Sequence, residues 1–334
     1  MVLVTGANGF LGAYLTRYLI KNQMSVRILV RKDSKLDLLR DCIQQVEIVY
    51  GDILDIPSLD IAFRDITQVY HSAAMISFNP SKKSLMLKTN IEGTANIVNQ
   101  CLLNNHIKLV HVSSIAALGH LENGEEISEK TPWNQKESTN YGYSKYYAEL
   151  EVYRGMAEGL NAVIVNPGMI FGGGYWDAGV GKIVAQVYHK IGFYTSGSNG
   201  VVDVRDVATI MNALMNSNIT GEKFIVVAEN RSFKSIMESF AHYLQVPSPR
   251  YLAPRWMIYI YSIFESIKSK ILQKELLISK ETAFYTLKNY HYNSSKLINH
   301  LGFKFIPFEE TLKATSEAYL ESIAAHKNHQ LIHI

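Results

Sequence analysis

Cysteine is scarce in this sequence, and its scarcity excludes two kinds of site. The 334 residues contain only two cysteines, Cys42 and Cys101, which is too few for a disulfide framework and shows no metal-binding spacing. We therefore expect both to lie in the core. The histidines show no ligand spacing either, and we expect His71 and His111 to be packed or hydrogen-bonded near strand ends. The sequence predicts no metal site.

Long hydrophobic runs and blocks of one charge are also missing. No uninterrupted apolar stretch reaches the roughly 18 residues that a membrane span requires, and the first apolar run leaves no room for a leader peptide. The net charge is only +3, without a long run of lysine or arginine, which argues against a nucleic-acid partner. We therefore expect a cytoplasmic protein that binds neither membrane nor nucleic acid.

Short β-branched segments alternate with helical patterns through the first half of the chain. The strand segments are 1–4, 25–30, 46–50, 66–71, 107–113 and 161–167, and the helical segments are 10–20, 34–40, 56–63, 82–104 and 142–158. Apolar strands separated by helices predict a parallel sheet covered on both faces, because parallel neighbours need a crossover connection. The predicted fold class is α/β, a Rossmann-type doubly wound parallel sheet with a smaller, mostly helical C-terminal lobe.

Three glycines follow the first strand directly. In "TGANGFLG", Gly6, Gly9 and Gly12 lie between that strand and a stretch with helical spacing. In such a turn one glycine permits the tight bend, another lets the backbone approach a phosphate, and a third lets helix pack on strand. The helix N-terminus adds free N–H donors and a partial positive charge. The turn predicts a dinucleotide pyrophosphate site, with a purely structural turn as the alternative.

Two later features fit the same site. Tyr141 and Lys145 lie four residues apart at the start of a predicted helix, so both side chains share one face. There an ammonium stabilises a phenolate and depresses the tyrosine pKa, although such a pair also arises by chance in a chain with 20 tyrosines. Ser113 and Ser114 end the fifth strand, where a hydroxyl binds a substrate oxygen or caps the strand end. The three features occur in the order that one site requires.

Together these motifs resemble the extended short-chain dehydrogenase/reductases, the NAD-dependent epimerase/dehydratase family. The glycine turn is similar to the family's TGxxGxxG loop, and Tyr141 with Lys145 is similar to its YxxxK pair. The other matching segments are "GDILD" (51–55), "HSAA" (71–74), "NIEGTANIV" (90–98), "VSSIAALG" (112–119), "NPGMIFGGG" (166–174), "VDVRDVA" (202–208) and residues 293–312. The resemblance therefore spans nearly the whole chain.

The resemblance implies a division of the chain and a role for each site residue. Residues 1–166 and 201–230 would bind NAD(P), and residues 167–200 and 231–334 would form the substrate lobe. Tyr141 would be the general acid/base, Lys145 would hold the nicotinamide ribose and tune Tyr141, and Ser114 rather than Ser113 would orient the reacting oxygen. The implied cofactor-binding residues are Gly6, Asn8, Gly9, Phe10, Leu11, Gly12, Arg31, Lys35, Asp52, Ile53, Ala73, Ala74, Tyr141, Lys145, Pro167 and Gly168. Asn90 is either a structural amide or serves the sheet or a water near Lys145.

The charges after the second strand favour NADP(H). An enzyme that prefers NAD normally offers a carboxylate to the ribose 2′-hydroxyl here, whereas a 2′-phosphate calls for arginine or lysine. Arg31 and Lys32 come first, Lys35 follows closely, and the carboxylate of Asp33 comes late. Arg31 would form charge-assisted hydrogen bonds with the phosphate. If these residues are only a solvated basic turn, NAD(H) remains possible.

The resemblance leaves the reaction open. Members similar to dihydroflavonol reductases and hydroxysteroid dehydrogenases move hydride between NADP(H) and an external ketone, aldehyde or secondary alcohol. Nucleotide-sugar epimerases instead keep NAD tightly bound, and Arg205, Arg231 and Arg250 could serve their substrate. The basic turn favours the first group. A third hypothesis is a non-catalytic dinucleotide sensor, against which the intact serine, tyrosine and lysine argue.

The C-terminal half carries fewer signals of the substrate, and the sequence leaves the oligomeric state open. Residues 254–272 are amphipathic and rich in aromatics, which favours a core-facing lid helix over a membrane-surface helix. Such a helix suits a hydrophobic small-molecule substrate. Helices 82–104 and 142–158 could pair in a homodimer or be covered by the sheet of a monomer.

Overall fold

The computed structural model describes residues 1–104, 106–119, 125–260, 262–263 and 286–333. Within these residues, no helix is long and apolar enough to cross a membrane. Of the predicted helix 254–272, residues 255–260 are helical, and residue 261 and residues 264–272 lie outside the described residues.

The described strands and helices alternate along the first half of the chain. In chain order the strands are Val2–Thr5 (β1), Val26–Val30 (β2), Val46–Tyr50 (β3), Gln68–His71 (β4), Lys108–Val112 (β5), Glu126–Ile127 (β6), Asn161–Pro167 (β7), Met169–Phe171 (β8), Phe193–Tyr194 (β9), Ser198–Asp203 (β10), Glu222–Val226 (β11), Glu229–Ser232 (β12), Tyr251–Leu252 (β13) and His291–Tyr292 (β14). The α-helices, besides residues 255–260, are Phe10–Lys21 (α1), Ile56–Ala62 (α2), Lys83–Leu103 (α3), Asn140–Ala157 (α4), Gly181–Tyr188 (α5), Val204–Met215 (α6), Phe233–Tyr243 (α7), Ser295–Leu301 (α8) and Phe308–Ala324 (α9).

Seven of the strands form one parallel sheet at the centre of the molecule. Their order across the sheet is β11, β7, β5, β4, β1, β2, β3, and every neighbouring pair is parallel. The strand order reverses beside β1, because the chain first moves outward through β2 and β3 and then returns to β4. The predicted doubly wound parallel sheet is confirmed, and its switch point lies at the carboxyl ends of β1 and β4.

Helices cover both faces of this sheet. One hydrophobic core joins α1 and α6 to strand residues such as Val110, and a second joins α2, α3 and α4 to residues such as Leu109. Val110 and Leu109 point to opposite faces because side chains alternate along a strand. Cys42 and Cys101 are both buried, as predicted.

Two details of the predicted element order were wrong. Residues 34–40 do not form an α-helix but only a 3₁₀ turn, Asp37–Leu39. The segment has few apolar residues, and only Leu38 and Leu39 are buried in it, so too little packing is available to stabilise a short helix. Strand β11, which extends the sheet beyond β7, was not expected from the sequence.

A smaller sheet and the C-terminal helices flank this core. Strand β10 pairs in parallel with β8 and antiparallel with β12, and α5, α7 and α9 pack together beside them.

The end of the described chain returns to the first helix. The backbone N–H of Ile332 donates a hydrogen bond to the buried Tyr14 hydroxyl at 2.8 Å, and that hydroxyl donates to the Gly173 carbonyl at 2.9 Å. The backbone N–H of Trp176 donates to the Asn328 carbonyl at 3.1 Å. These bonds join residues 328–332, α1 and the loop after β8.

Candidate active site

The glycine turn after β1 is shaped by two close backbone approaches. Gly6 has a φ of +72°, and a Cβ there would lie 2.6 Å from the backbone nitrogen of Ala73. A Cβ on Gly12 would collide with the carbonyl oxygen of Gly6. Packing therefore requires two of the three glycines.

Gly9 has no comparable packing reason. It is exposed, and the nearest atom to a Cβ there would be the Gly6 carbonyl oxygen at 3.2 Å. Gly9 is also the N-cap of α1, and no side chain caps that helix end. An open cradle of backbone at an uncapped helix N-terminus fits a phosphate group, so the turn fits the pyrophosphate of a dinucleotide.

The other predicted residues of this turn lie around that cradle. Asn8 is half-buried and Leu11 is buried. The Phe10 ring lies against the loop after β8, because a Cβ on Gly174 would be 2.8 Å from its Cδ2 atom. Phe10 therefore separates the glycine turn from the smaller sheet.

Basic side chains surround the carboxyl end of β2. Arg31, Lys32 and Lys35 are all exposed. Asp33 is exposed too and lies 3.5 Å from the Arg31 guanidinium. This edge thus presents three cations and one carboxylate next to the glycine turn.

Two further segments with implied cofactor-binding residues also lie at this edge. Asp52 accepts a hydrogen bond from the backbone N–H of Leu54 at 2.9 Å, and Ile53 is buried against Gly93 of α3. Ala73 is half-buried against Gly6, and Ala74 is exposed. The strand ends therefore bring these residues to one rim.

Two buried histidines lie behind the rim. His71 shares hydrogen bonds with the hydroxyls of Thr5, at 2.7 Å, and Thr94, at 3.1 Å. Burial lowers the pKa of His71 to about 3, and it lowers the pKa of His111 well below its ordinary value. Both rings are therefore neutral at neutral pH, and their centroids are 5.2 Å apart. Within the described residues, no group of three or more His, Cys, Asp or Glu side chains is arranged to hold a metal ion.

Ser114 and Tyr141 meet where β5 ends and α4 begins. Their side chains are hydrogen-bonded to each other. The start of α4 is fixed by Thr139, whose hydroxyl accepts a hydrogen bond from the backbone N–H of Gly142 at 2.9 Å. The neighbouring Ser113 is buried, and its backbone N–H donates to the Val165 carbonyl. Of the two serines, Ser114 is therefore the one that contacts Tyr141.

The pKa of Tyr141 differs from the sequence-based expectation. We expected Lys145 to depress it, but burial raises it to about 12, and the hydrogen bond from Ser114 is what opposes this rise. Burial dominates because a buried phenolate loses its hydration. The ammonium of Lys145 is instead directed to the Val112 carbonyl, which it approaches to 2.6 Å.

Lys145 is itself buried, at 3% exposure. Burial lowers its pKa to about 8, and the carboxylate of Glu149 opposes that effect. Lys145 lies one helical turn after Tyr141 on α4, as the spacing predicts. Serine, tyrosine and lysine thus gather at the carboxyl edge of the sheet.

Asn90 acts as a structural amide in this arrangement. Its side-chain oxygen accepts from the backbone N–H of Met75 at 2.7 Å, and its nitrogen donates to the Met75 carbonyl and to the Ser144 hydroxyl, both at 2.9 Å. The Ser144 hydroxyl donates to the Tyr141 carbonyl at 2.7 Å. Asn90 therefore ties the loop after β4 to the helix that carries Tyr141.

Pro167 and Gly168 lie at the carboxyl end of β7. Pro167 is buried. A Cβ on Gly168 would lie 2.5 Å from the Gly200 carbonyl oxygen, so this glycine allows the large sheet and β10 to approach each other. The pair therefore marks the point where the two sheets meet beside the site.

Sequence reasoning missed two buried residues of this region. Glu149 is 1% exposed, and Asn166 donates a hydrogen bond to it at 2.5 Å. The only signal for Glu149 is its position four residues after Lys145. Asn166 begins the matching segment 166–174, but no local pattern indicates its contact with Glu149, which forms only when α4 packs against β7.

Comparison with known proteins finds one family across most of the chain. Residues 2–228 match the model of the NAD dependent epimerase/dehydratase family. A curated relative, "Sterol demethylase protein B" of Methylococcus capsulatus, is 29% identical over 256 residues, which cover 75% of this chain and 77% of that protein. "Cinnamoyl-CoA reductase 1" of Petunia hybrida is 26% identical over 360 residues, which cover 100% of this chain and 97% of that protein.

Solved structures share the fold over almost the full length. The crystal structure of gox2253 has a TM-score of 0.82 and 26% sequence identity, and the match covers 97% of this chain and 98% of that one. The UDP-glucose 4-epimerase of Thermus thermophilus, solved in complex with NAD, has a TM-score of 0.74 and 22% identity, and the match covers 95% of this chain and 97% of that one. With the family match, the glycine turn and the Ser114–Tyr141–Lys145 cluster, the chain belongs to the NAD dependent epimerase/dehydratase family of extended short-chain dehydrogenase/reductases.

Proposed function

We propose that this protein is an NADP(H)-dependent oxidoreductase that transfers hydride between nicotinamide and a ketone, aldehyde or secondary alcohol. The observation that carries this proposal is the hydrogen-bonded pair of Ser114 and Tyr141 beside the buried Lys145. Residues 1–166 and 201–230 bind the dinucleotide, and residues 167–200 and 231–334 form the substrate lobe.

Tyr141 is the proton donor in the reductive direction. With a pKa of about 12, its hydroxyl keeps its proton at neutral pH and can give it to a carbonyl oxygen as negative charge develops there. Ser114 orients that oxygen and stabilises its charge. Lys145, buried one helical turn after Tyr141, would hold the nicotinamide ribose. When bound, the nicotinamide supplies the hydride.

The preference for NADP(H) is proposed from the rim of β2. A 2′-phosphate there would meet Arg31, Lys32 and Lys35, all of them exposed. The opposing carboxylate of Asp33 is already 3.5 Å from the Arg31 guanidinium, which makes it a poor partner for a ribose 2′-hydroxyl. The local charge supports a phosphate.

Two arginines weigh against a nucleotide-sugar epimerase. Arg205 forms an ion pair with the buried Asp203 at 2.7 Å, and Arg231 forms ion pairs with Glu229 at 2.7 Å and Glu309 at 3.3 Å. Both guanidinium groups are therefore engaged, and of the three arginines only the exposed Arg250 is left for the diphosphate of a sugar nucleotide. The likeness to a cinnamoyl-CoA reductase along the whole chain also supports reduction of an external carbonyl.

Cofactor identity is the test of this proposal. The purified protein is denatured and the released nucleotide is assayed, and apo protein is then titrated with NADPH and NADH. We expect an exchangeable cofactor and tighter binding of NADPH, followed by turnover in a screen of aldehydes and ketones. Stoichiometric NAD that does not exchange would overturn the reductase and favour the epimerase.

A further inference from the structure

A carboxylate is buried directly below the catalytic cluster. Glu149 lies on α4, one turn after Lys145, and is 1% exposed. The Asn166 side-chain nitrogen donates to its Oε1 atom at 2.5 Å and also to the Ser114 carbonyl at 3.0 Å. One amide of β7 thus joins Glu149 to the backbone of the serine that contacts Tyr141.

The charge of this carboxylate needs a cation. A buried carboxylate is costly unless it is paired and hydrogen-bonded. The Lys223 ammonium on β11 is 3.5 Å from Glu149 Oε2 and is the ion-pair partner of this carboxylate. Lys145 lies on the same helix face, is buried, and donates its hydrogen bond to the neutral Val112 carbonyl. The Lys145 ammonium therefore has no charged hydrogen-bond partner within the described residues, and the carboxylate one helical turn away stabilises its charge.

Among the described residues, the other titratable groups near Lys145 carry no negative charge. His71 and His111, from β4 and β5, are buried and neutral, and Tyr141 of α4 is protonated. Near Glu149 the further titratable groups are Tyr153 on α4, Lys223 and Glu222 on β11, and Glu129, whose Oε1 accepts a hydrogen bond from the Ile225 N–H. Glu149, Glu222 and Glu129 all act on Tyr153, and of these three acids only Glu149 also acts on Lys145.

We propose that Glu149 is a positioning residue, which keeps Lys145 in the ammonium form and, through Asn166, holds the strand end of Ser114 against Tyr141. This inference rests on the proposed function, because it assigns a purpose to the charge of Lys145. Glu149 itself does not touch the reacting atoms.

The first test uses the pH dependence of stability and needs no cofactor or substrate. Burial lowers the pKa of Lys145 from 10.5 to about 8, so the unfolded chain binds the extra proton, and the free energy of unfolding rises with pH between these values. Glu149→Gln should lower the folded pKa further and move the start of this rise to lower pH by about 1 unit. The free energy of unfolding by denaturant is measured from about pH 6 to pH 10.5.

A double-mutant cycle assigns the effect to Lys145. In the Lys145→Met background, the rise of the unfolding free energy with pH should be absent. Adding Glu149→Gln to this background should not shift the remaining pH profile of stability. The matched control is Glu151→Gln, which removes a carboxylate on the same helix that pairs with Arg154 at 2.9 Å; its profile should match the wild type. An unshifted Glu149→Gln profile, or an equal shift without Lys145, overturns the proposal.

Lys145→Met also tests the coupling from the other side, in case Glu149→Gln does not fold. Without the ammonium, the rise in the free energy of unfolding above about pH 8 should disappear, because Lys145 is the group assigned to it. A rise that persists in Lys145→Met would show that another group titrates there and would overturn the proposal.

Enzyme kinetics provide a second measurement, the pH dependence of the reduction rate, which would not change if Glu149 had only a structural role. In Glu149→Gln, the alkaline limb of the carbonyl reduction rate should move to lower pH, and Glu149→Asp, which keeps the charge, should restore most of the wild-type limb. If wild-type protein reduces no carbonyl, the proposed function fails while the stability cycle still decides the pairing.

Discussion

Tyr141 is the residue on which the proposed reaction depends most directly. Tyr141→Phe removes the hydroxyl that bonds Ser114 and would give its proton to the substrate oxygen. We expect turnover to fall by about 10²–10⁴-fold, the usual contribution of a general acid. The affinity for the cofactor should change little, because the aromatic ring remains. Steady-state kinetics and a cofactor titration measure the two effects.

Tyr143→Phe is the matched control for this substitution. Tyr143 is on the same helix, and its ring contacts Tyr147 at a centroid distance of 4.3 Å. Loss of its hydroxyl should leave turnover near the wild-type rate. Normal turnover in Tyr141→Phe would remove Tyr141 from the mechanism.

Arg31 decides the proposed preference for NADPH. Hydrogen bonds to a charged group contribute about 1.5–3 kcal/mol, so Arg31→Ala should weaken NADPH binding by about 10–100-fold and leave NADH binding nearly unchanged. Arg40→Ala removes the same charge from an exposed arginine that lies 3.6 Å from Asp37. An equal loss in both variants would show that only the net charge matters. Paired titrations with the two cofactors give the comparison.

The sequence predicted residues with local signals better than residues whose environment forms by folding. The spacing of Tyr141 and Lys145 sufficed to place both on one helix face. The pKa of Tyr141 was not predictable, because its burial depends on distant chain segments, including Phe78, whose ring lies 6.3 Å away. The contact of Glu149 with Asn166 was missed for the same reason.

The glycine turn can be tested as an element, because its positions require glycine for different reasons. Gly12→Ala should lower the free energy of unfolding by about 1–3 kcal/mol, since its Cβ meets the backbone of Gly6. Gly9→Ala should change stability less than Gly12→Ala, because Gly9 is exposed and its Cβ would meet one backbone atom at 3.2 Å, yet it should weaken cofactor binding. Denaturant unfolding and cofactor titration separate the two effects. Unchanged cofactor affinity in Gly9→Ala would place the phosphate elsewhere.

Elements with strong periodicity were predicted within a few residues, and weakly patterned ones were not. Strand β7 and helix α3 were expected at 161–167 and 82–104, and they occur at Asn161–Pro167 and Lys83–Leu103. The helix predicted over residues 34–40 was wrong, because two buried leucines are too few to form the apolar face of a helix. Strand β11 is recognisable only through its pairing with β7, which no local pattern records.

Asp206 connects the sheet domain to the C-terminal helices and should make their attachment depend on pH. It lies on α6 and accepts a hydrogen bond from the backbone N–H of Ile306 at 2.9 Å. Burial raises its pKa from 3.8 to about 7. The folded state therefore holds the proton more tightly, and the stability that this proton contributes below about pH 4 is lost as pH rises through about 7.

Asp206→Asn should remove this loss, because the amide keeps an acceptor for Ile306 and does not titrate. Relative to the wild type, the variant should gain about 1–3 kcal/mol of unfolding free energy between about pH 4 and 8. Asp177→Asn, at an exposed carboxylate, is the control and should show no such gain. A pH-independent difference between Asp206→Asn and the wild type would exclude titration of this group.

The return of residues 328–332 to the first helix has a consequence for synthesis. Tyr14 leaves the ribosome 318 positions before Ile332, whose backbone N–H donates a hydrogen bond to the Tyr14 hydroxyl. Until that late segment emerges, the nascent helix beside the glycine turn lacks one of its buried partners. Domains generally fold as units during translation, and here the helix that follows the glycine turn gains one of its buried partners only from residue 332. Ribosome-bound chains should therefore acquire their full cofactor affinity only after residue 332 has emerged.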